Sequence, residues 1–168
     1  MSDIITNKVT ESVLVTINLE DYYPKESVEV FDLKDYLFMG LILKEKDFRE
    51  ALKNLDINAF SQKIVTVTCS TDAIIPVWAY MLVTSLLQPV AREIYYGTAA
   101  EASTKQLIAN IAQIKVQEYA EKRVVIKGCG ELPIGEAAYL EATKVLRPVV
   151  KSIMYGEPCS TVPIFKRK

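Results

Sequence analysis

A chain of 168 residues, 50% hydrophobic and 24% charged, can bury a core without disulfide or metal staples. Twenty Lys and Arg against 21 Asp and Glu leave a net charge of −1, which excludes the basic surplus that nucleic acid or an anionic membrane selects. Three cysteines, an odd number, argue against a disulfide framework, and the lack of any histidine removes Ser-His and Cys-His dyads and most common zinc chemistry.

The opening stretch MSDIITNKVTES has neither the basic nor the apolar region of a signal peptide. The longest apolar run, about 73–87, is short for a membrane span and contains Pro76, so a cytoplasmic protein is expected. SVLVTINL (12–19) alternates as a strand does, DYYPKES reads as a turn, and SVEVF (27–31) reads as a second strand. Together they predict an N-terminal β-hairpin-like extension. Asp32 caps a helix through LKDYLFMG, which Gly40 breaks.

Phe48, Leu52 and Leu55 then mark an amphipathic helix. KIVTVT (63–68) is a strand, 76–88 a helix stopped by Pro89, and 91–96 a strand ending at Gly97. Thr98 and Glu101 have the spacing of a capping box opening the next helix, which carries Leu107, Ile111 and Ile114. KRVVIK (122–127), a helix over 135–147 stopped by Pro148, and a strand over 150–155 ending at Gly156 complete the series. The last four residues, Phe165-Lys166-Arg167-Lys168, read as a small basic tail.

The second set of elements repeats the first. Comparing 63–97 with 122–156 without gaps gives 12 identities in 35 positions, among them Tyr80/Tyr139, Pro89/Pro148, Tyr96/Tyr155 and Gly97/Gly156. Strand–helix–strand with this crossover length implies parallel strands joined right-handedly. The predicted fold is therefore α/β, a single domain over 1–168 built on an internal duplication. Two β-α-β units, within repeats at about 47–97 and 106–156, form a mainly parallel sheet of four strands. GEAAYLEATKVLR has a wet face, whereas VWAYMLVTSLLQ is apolar all round. That helix is either central and buried or a homodimer interface anchored by Trp78 and Met81.

Cys69, Cys129 and Cys159 all fall just past the carboxyl ends of predicted parallel strands, the edge where open α/β sheets hold ligands. Helix N-termini beside Cys69 and Cys129 favour a thiolate, and Gly128 and Gly130 leave the second sulfur accessible. The three thiols thus form a candidate site for a soft metal ion, an iron–sulfur cluster or sulfur, with Asp72 or Glu157 as a further ligand. The alternative is that they are small core residues, since no CxxC is present. KGCGELPIG offers backbone N–H groups to an anion or is a plain turn.

The stretches LEDYYP (19–24), LILKEKDFREA (41–51), CSTDAIIPVWAYML (69–82), VVIKGC (124–129) and RPVVKSIMYGEPCSTVP (147–163) resemble bacterial proteins grouped as domain-of-unknown-function family 2480. The resemblance runs nearly end to end and names no reaction. The resemblance implies a gene often encoded near iron–sulfur cluster assembly genes, and with it iron–sulfur assembly proteins as expected partners. Three readings stand: an accessory factor using the strand-end cysteines, a non-catalytic homodimeric interaction module, and an enzyme whose strand-end loops hold a small substrate, with Asp72, Glu131 or a thiolate as acid or base.

Overall fold

The computed structural model describes residues 14–168, a mixed α/β arrangement. In chain order the elements are β1 (Leu14–Asn18), β2 (Val28–Asp32), α1 (Glu45–Lys53), β3 (Ile64–Thr68), α2 (Val77–Leu87), β4 (Glu93–Tyr96), α3 (Ala99–Ala112), β5 (Arg123–Lys127), α4 (Glu136–Leu146), β6 (Ser152–Glu157) and β7 (Ser160–Lys166). Short 3-10 turns at Leu19–Tyr22, Leu33–Tyr36, Ile57–Phe60 and Val116–Tyr119 link them. The chain divides into two compact units, one continuous (Pro24–Lys105) and one discontinuous (up to Tyr23, then Gln106–Lys168).

In the continuous unit the sheet order is β2-β3-β4, all parallel. Burial on β3 extends over Ile64, Val65, Thr66 and Val67, as expected of a central parallel strand. Its core is Phe31, Leu33, Phe48, Leu52, Val65, Val67, Ala79, Val83 and Leu87. Phe48 and Leu52 are one helical turn apart on α1, and Ala79, Val83 and Leu87 lie at successive turns of α2. The 3-10 turn at Leu33 starts where the Asp32 carboxylate accepts the Lys34 N–H at 3.0 Å. Its other bond, from the Ser70 N–H at 3.0 Å, ties that turn to the loop after β3.

The discontinuous unit has the order β1-β5-β6-β7, with β7 antiparallel to β6. Ile17, Leu19, Leu107, Ile111, Val124, Ile126, Ala138, Ala142, Leu146 and Ile153 form its core. Here α4 puts Ala138, Ala142 and Leu146 inward at the spacing α2 uses. Both units run through strand, 3-10 turn, helix, 3-10 turn, strand, helix and strand. Their pairing registers also correspond: Val65 faces Ile94 in one and Val124 faces Ile153 in the other, each residue moved by 59.

Several expectations need correcting. The first two strands do not form a hairpin: β1 pairs in parallel with β5, and β2 in parallel with β3. Strands close in sequence favour a hairpin only when a tight turn brings them back, and here DYYPKES carries a 3-10 turn and leads into the other unit. The four repeat strands do not share one sheet; each β-α-β pair joins its own N-terminal strand instead. Nor is α2 buried on all sides, since Val77 and Met81 are exposed. Strand β6 runs one residue past Gly156, and Ser160–Lys166 form strand β7, which includes the start of the basic tail. No helix among the described residues is long and apolar enough to cross a membrane.

Candidate functional site

The site of the discontinuous unit grows from the loop that follows β5. Gly128 is needed there because a Cβ would lie 2.8 Å from the Tyr139 hydroxyl oxygen. A side chain at Gly130 would collide with the Glu20 carboxylate. That carboxylate accepts the Leu132 N–H at 2.9 Å and so ties the loop to the 3-10 turn after β1. An N–H group of KGCGELPIG is thus satisfied within the chain, and the loop is a pinned turn.

Between the two glycines Cys129 is exposed. Its Sγ lies 3.3 Å from the hydroxyl of Tyr155, on β6, and 3.8 Å from that of Tyr139, on α4. The two rings meet edge to face, with centroids 5.6 Å apart and planes at 70°. The Tyr155 hydroxyl holds the Cys129 thiol below its ordinary range, helped by the Tyr139 hydroxyl and the Gly128 backbone; desolvation and the nearby Glu157 carboxylate oppose them. Burial, then the Cys129 sulfur, pushes the Tyr139 phenol well above its usual range, and the sulfur also raises Tyr155. These shifts run in the direction that favours phenol hydroxyls donating to the sulfur, the arrangement that stabilises its charged form.

The continuous unit repeats half of this arrangement. Tyr80 and Tyr96 meet edge to face at 5.5 Å and 79°, in the positions of Tyr139 and Tyr155. Its thiol sits one position earlier, because Cys69 aligns with Gly128 and Ser70 with Cys129. Cys69 is half-buried and its S–H donates weakly to the Thr71 carbonyl at 3.6 Å.

The remaining candidates are placed as follows. Cys159 is exposed in the β6–β7 turn; Gly156, on β6 and paired with Thr161, has φ +115°, and a Cβ there would lie 2.6 Å from the Ser160 carbonyl. Glu157 pairs with Lys127 at 3.4 Å, and Asp72 and Glu131 are exposed. Among the described residues no three or more Cys, Asp or Glu side chains are grouped so as to hold a metal ion. The residues that sequence reasoning missed are Tyr139 and Tyr155. The signal was present, since each is identical to its partner in the other repeat.

Beside the tyrosine pair lies a cleft of about 460 Å³, lined by Ile126, Ile134, Leu140, Met154 and Ile164 together with both rings. It opens between α4 and the β6–β7 hairpin.

Fold and site define an α/β protein of two similar, mostly parallel-sheet units, one of which carries an exposed thiol flanked by two tyrosine hydroxyls at its strand ends. The chain belongs to the family described as protein of unknown function (DUF2480), whose model matches residues 3–167. No curated protein and no solved structure matches it.

Proposed function

We propose that the protein is an accessory factor that accepts sulfur covalently on Cys129, on a scaffold built by internal duplication. The observation that carries this reading is the placement of two phenol hydroxyls at 3.3 and 3.8 Å from an exposed sulfur. A metal or cluster asks for several converging ligands, whereas a covalent sulfur carrier asks for one accessible thiolate. In the step, the Cys129 thiolate attacks the outer sulfur of a donor persulfide, R–S–SH. A new S–S bond forms on Cys129, the donor's S–S bond breaks, and its electron pair leaves on R–S⁻, with no net oxidation. The matching register of the two units supports the duplication, and the association of the family with iron–sulfur assembly genes suits a sulfur acceptor.

The test is to treat reduced protein anaerobically with glutathione persulfide and locate the added mass by peptide mapping. One sulfur atom on Cys129, absent in Cys129→Ser and retained in Cys69→Ser, is the expected result. Sulfur spread evenly over Cys69, Cys129 and Cys159, or none, would overturn it.

A homodimeric interaction module is the second reading, favoured by the exposure of Ile74, Val77 and Met81 at one end of α2. Trp78 contributes less than expected to such a face, since it is half-buried against Phe48, with ring centroids 6.2 Å apart.

A further inference from the structure

The cleft beside Tyr139 and Tyr155 has a structural origin. Helix α4 faces its sheet through small side chains, Ala138 and Ala142, which share a core with Val124, Ile126 and Ile153. Strand β7 widens the sheet past that helix, and Ile164 stands on the strip left open. The opposite wall comes from one stripe of α4, at Glu136, Leu140 and Thr143. Leu140 and Ile164 are 69% and 53% exposed, so apolar surface faces water on both sides of the groove. The counterpart in the continuous unit has no strand corresponding to β7 and carries Val77 where α4 has Glu136.

The volume, about 460 Å³, belongs to the range of small-molecule pockets. The lining is mainly aliphatic and aromatic, and among the described residues its one acidic or basic side chain is Glu136. An anion would be repelled by that exposed carboxylate, whereas a neutral group would not and a cation would be attracted. We infer that this cleft binds a small apolar molecule, neutral or cationic, and that its occupancy is transmitted to the Cys129 thiol through Tyr139 and Tyr155. The transmission needs no moving element, because the two rings that wall the cleft are the ones whose hydroxyls hold the sulfur. This inference goes beyond the sulfur-accepting reading and does not depend on it.

Two dyes of nearly equal shape separate the possibilities. N-phenyl-1-naphthylamine is neutral, and 1-anilinonaphthalene-8-sulfonate adds a sulfonate. The neutral dye is expected to bind saturably, one per chain, on the order of tenfold tighter than the anionic one. Leu140→Asp, at an exposed position, and Thr143→Trp, which fills the groove from α4, should each weaken the neutral dye on the order of tenfold with unchanged circular dichroism. Cys129→Ser should still bind it, which separates this result from any failure of sulfur transfer. Saturating neutral dye should change the rate of Cys129 alkylation by iodoacetamide roughly twofold or more. Equal affinity for both dyes, non-saturable binding, or binding indifferent to both α4 substitutions would overturn the site. An unchanged alkylation rate would overturn the transmission. Dye displacement accompanied by a doubling of mass at higher protein concentration would assign the groove to a second copy of the chain and overturn the small-molecule reading.

Discussion

Helices α2 and α4 bury the same three turns, Ala79, Val83 and Leu87 in one and Ala138, Ala142 and Leu146 in the other, yet they present different faces to water. Val77 and Met81 are exposed on α2, where α4 has Glu136 and Leu140. The strand ends differ in a similar way. Each unit keeps an edge-to-face tyrosine pair, but the Tyr139 and Tyr155 hydroxyls lie against a sulfur, whereas Cys69, one position earlier in the alignment than Cys129, donates to the Thr71 carbonyl. Inward-facing positions are tied to packing at both places, where a one-methylene change is felt. Outward and strand-end positions are not, so they are where the two units diverge in chemistry.

The comparison is broken most directly through its cores. Leu87→Ala and Leu146→Ala remove equivalent, fully buried side chains, and each should cost about 2–5 kcal/mol in chemical denaturation. A loss confined to one of them would mean that the units are not packed alike. A smaller effect sharpens the contrast at the ends of β4 and β6. Gly97 and Gly156 both have positive φ, +122° and +115°. A methyl at Gly156 would lie 2.6 Å from the Ser160 backbone carbonyl, whereas at Gly97 it meets the movable Glu101 carboxylate at 2.5 Å. Gly156→Ala should therefore lose more stability, about 1–3 kcal/mol, than Gly97→Ala, as urea midpoints will show. If the order is reversed, the end of β6 is not the more constrained one.

Least disruptive to the fold are the phenol deletions, which act on the thiol. The Cys129 thiol is held low mainly by Tyr155 and next by Tyr139. The pH profile of its alkylation should therefore rise at a lower pH than an ordinary thiol's, near 8.5. Tyr155→Phe should move the profile upward, and Tyr139→Phe should move it upward by less. The sign follows because a donated hydrogen bond favours the charged sulfur. An unmoved profile in Tyr155→Phe would remove the distinction drawn between the two units' thiols.

What the sequence made legible was mostly local. The helices expected over 76–88 and 135–147 run Val77–Leu87 and Glu136–Leu146, since a proline stop and a periodic apolar face are nearest-neighbour signals. The Thr98–Glu101 capping box also formed, with the Glu101 carboxylate accepting the Thr98 N–H at 2.7 Å and the Thr98 hydroxyl accepting the Glu101 N–H at 3.2 Å. Asp32 caps as expected, although the element it starts is a 3-10 turn. Sheet partnership was not legible, because β1 finds β5 across an entire intervening unit and no local pattern encodes that choice. The tyrosines were visible as repeat identities, but their bond to sulfur depends on a loop fixed by Glu20. Sequence could not choose between a buried and an exposed face for α2, because an apolar residue reads alike whether a neighbour covers it or not.

The discontinuity of one unit also orders events in time during synthesis. All three strands of the continuous unit are made before residue 105, so that sheet has every partner it needs while the chain is still growing. Strand β1 is made first and waits longest, since its partner is Arg123–Lys127. Throughout that interval its backbone N–H and C=O groups remain unanswered by β5, the condition under which a nascent strand is open to capture by another chain.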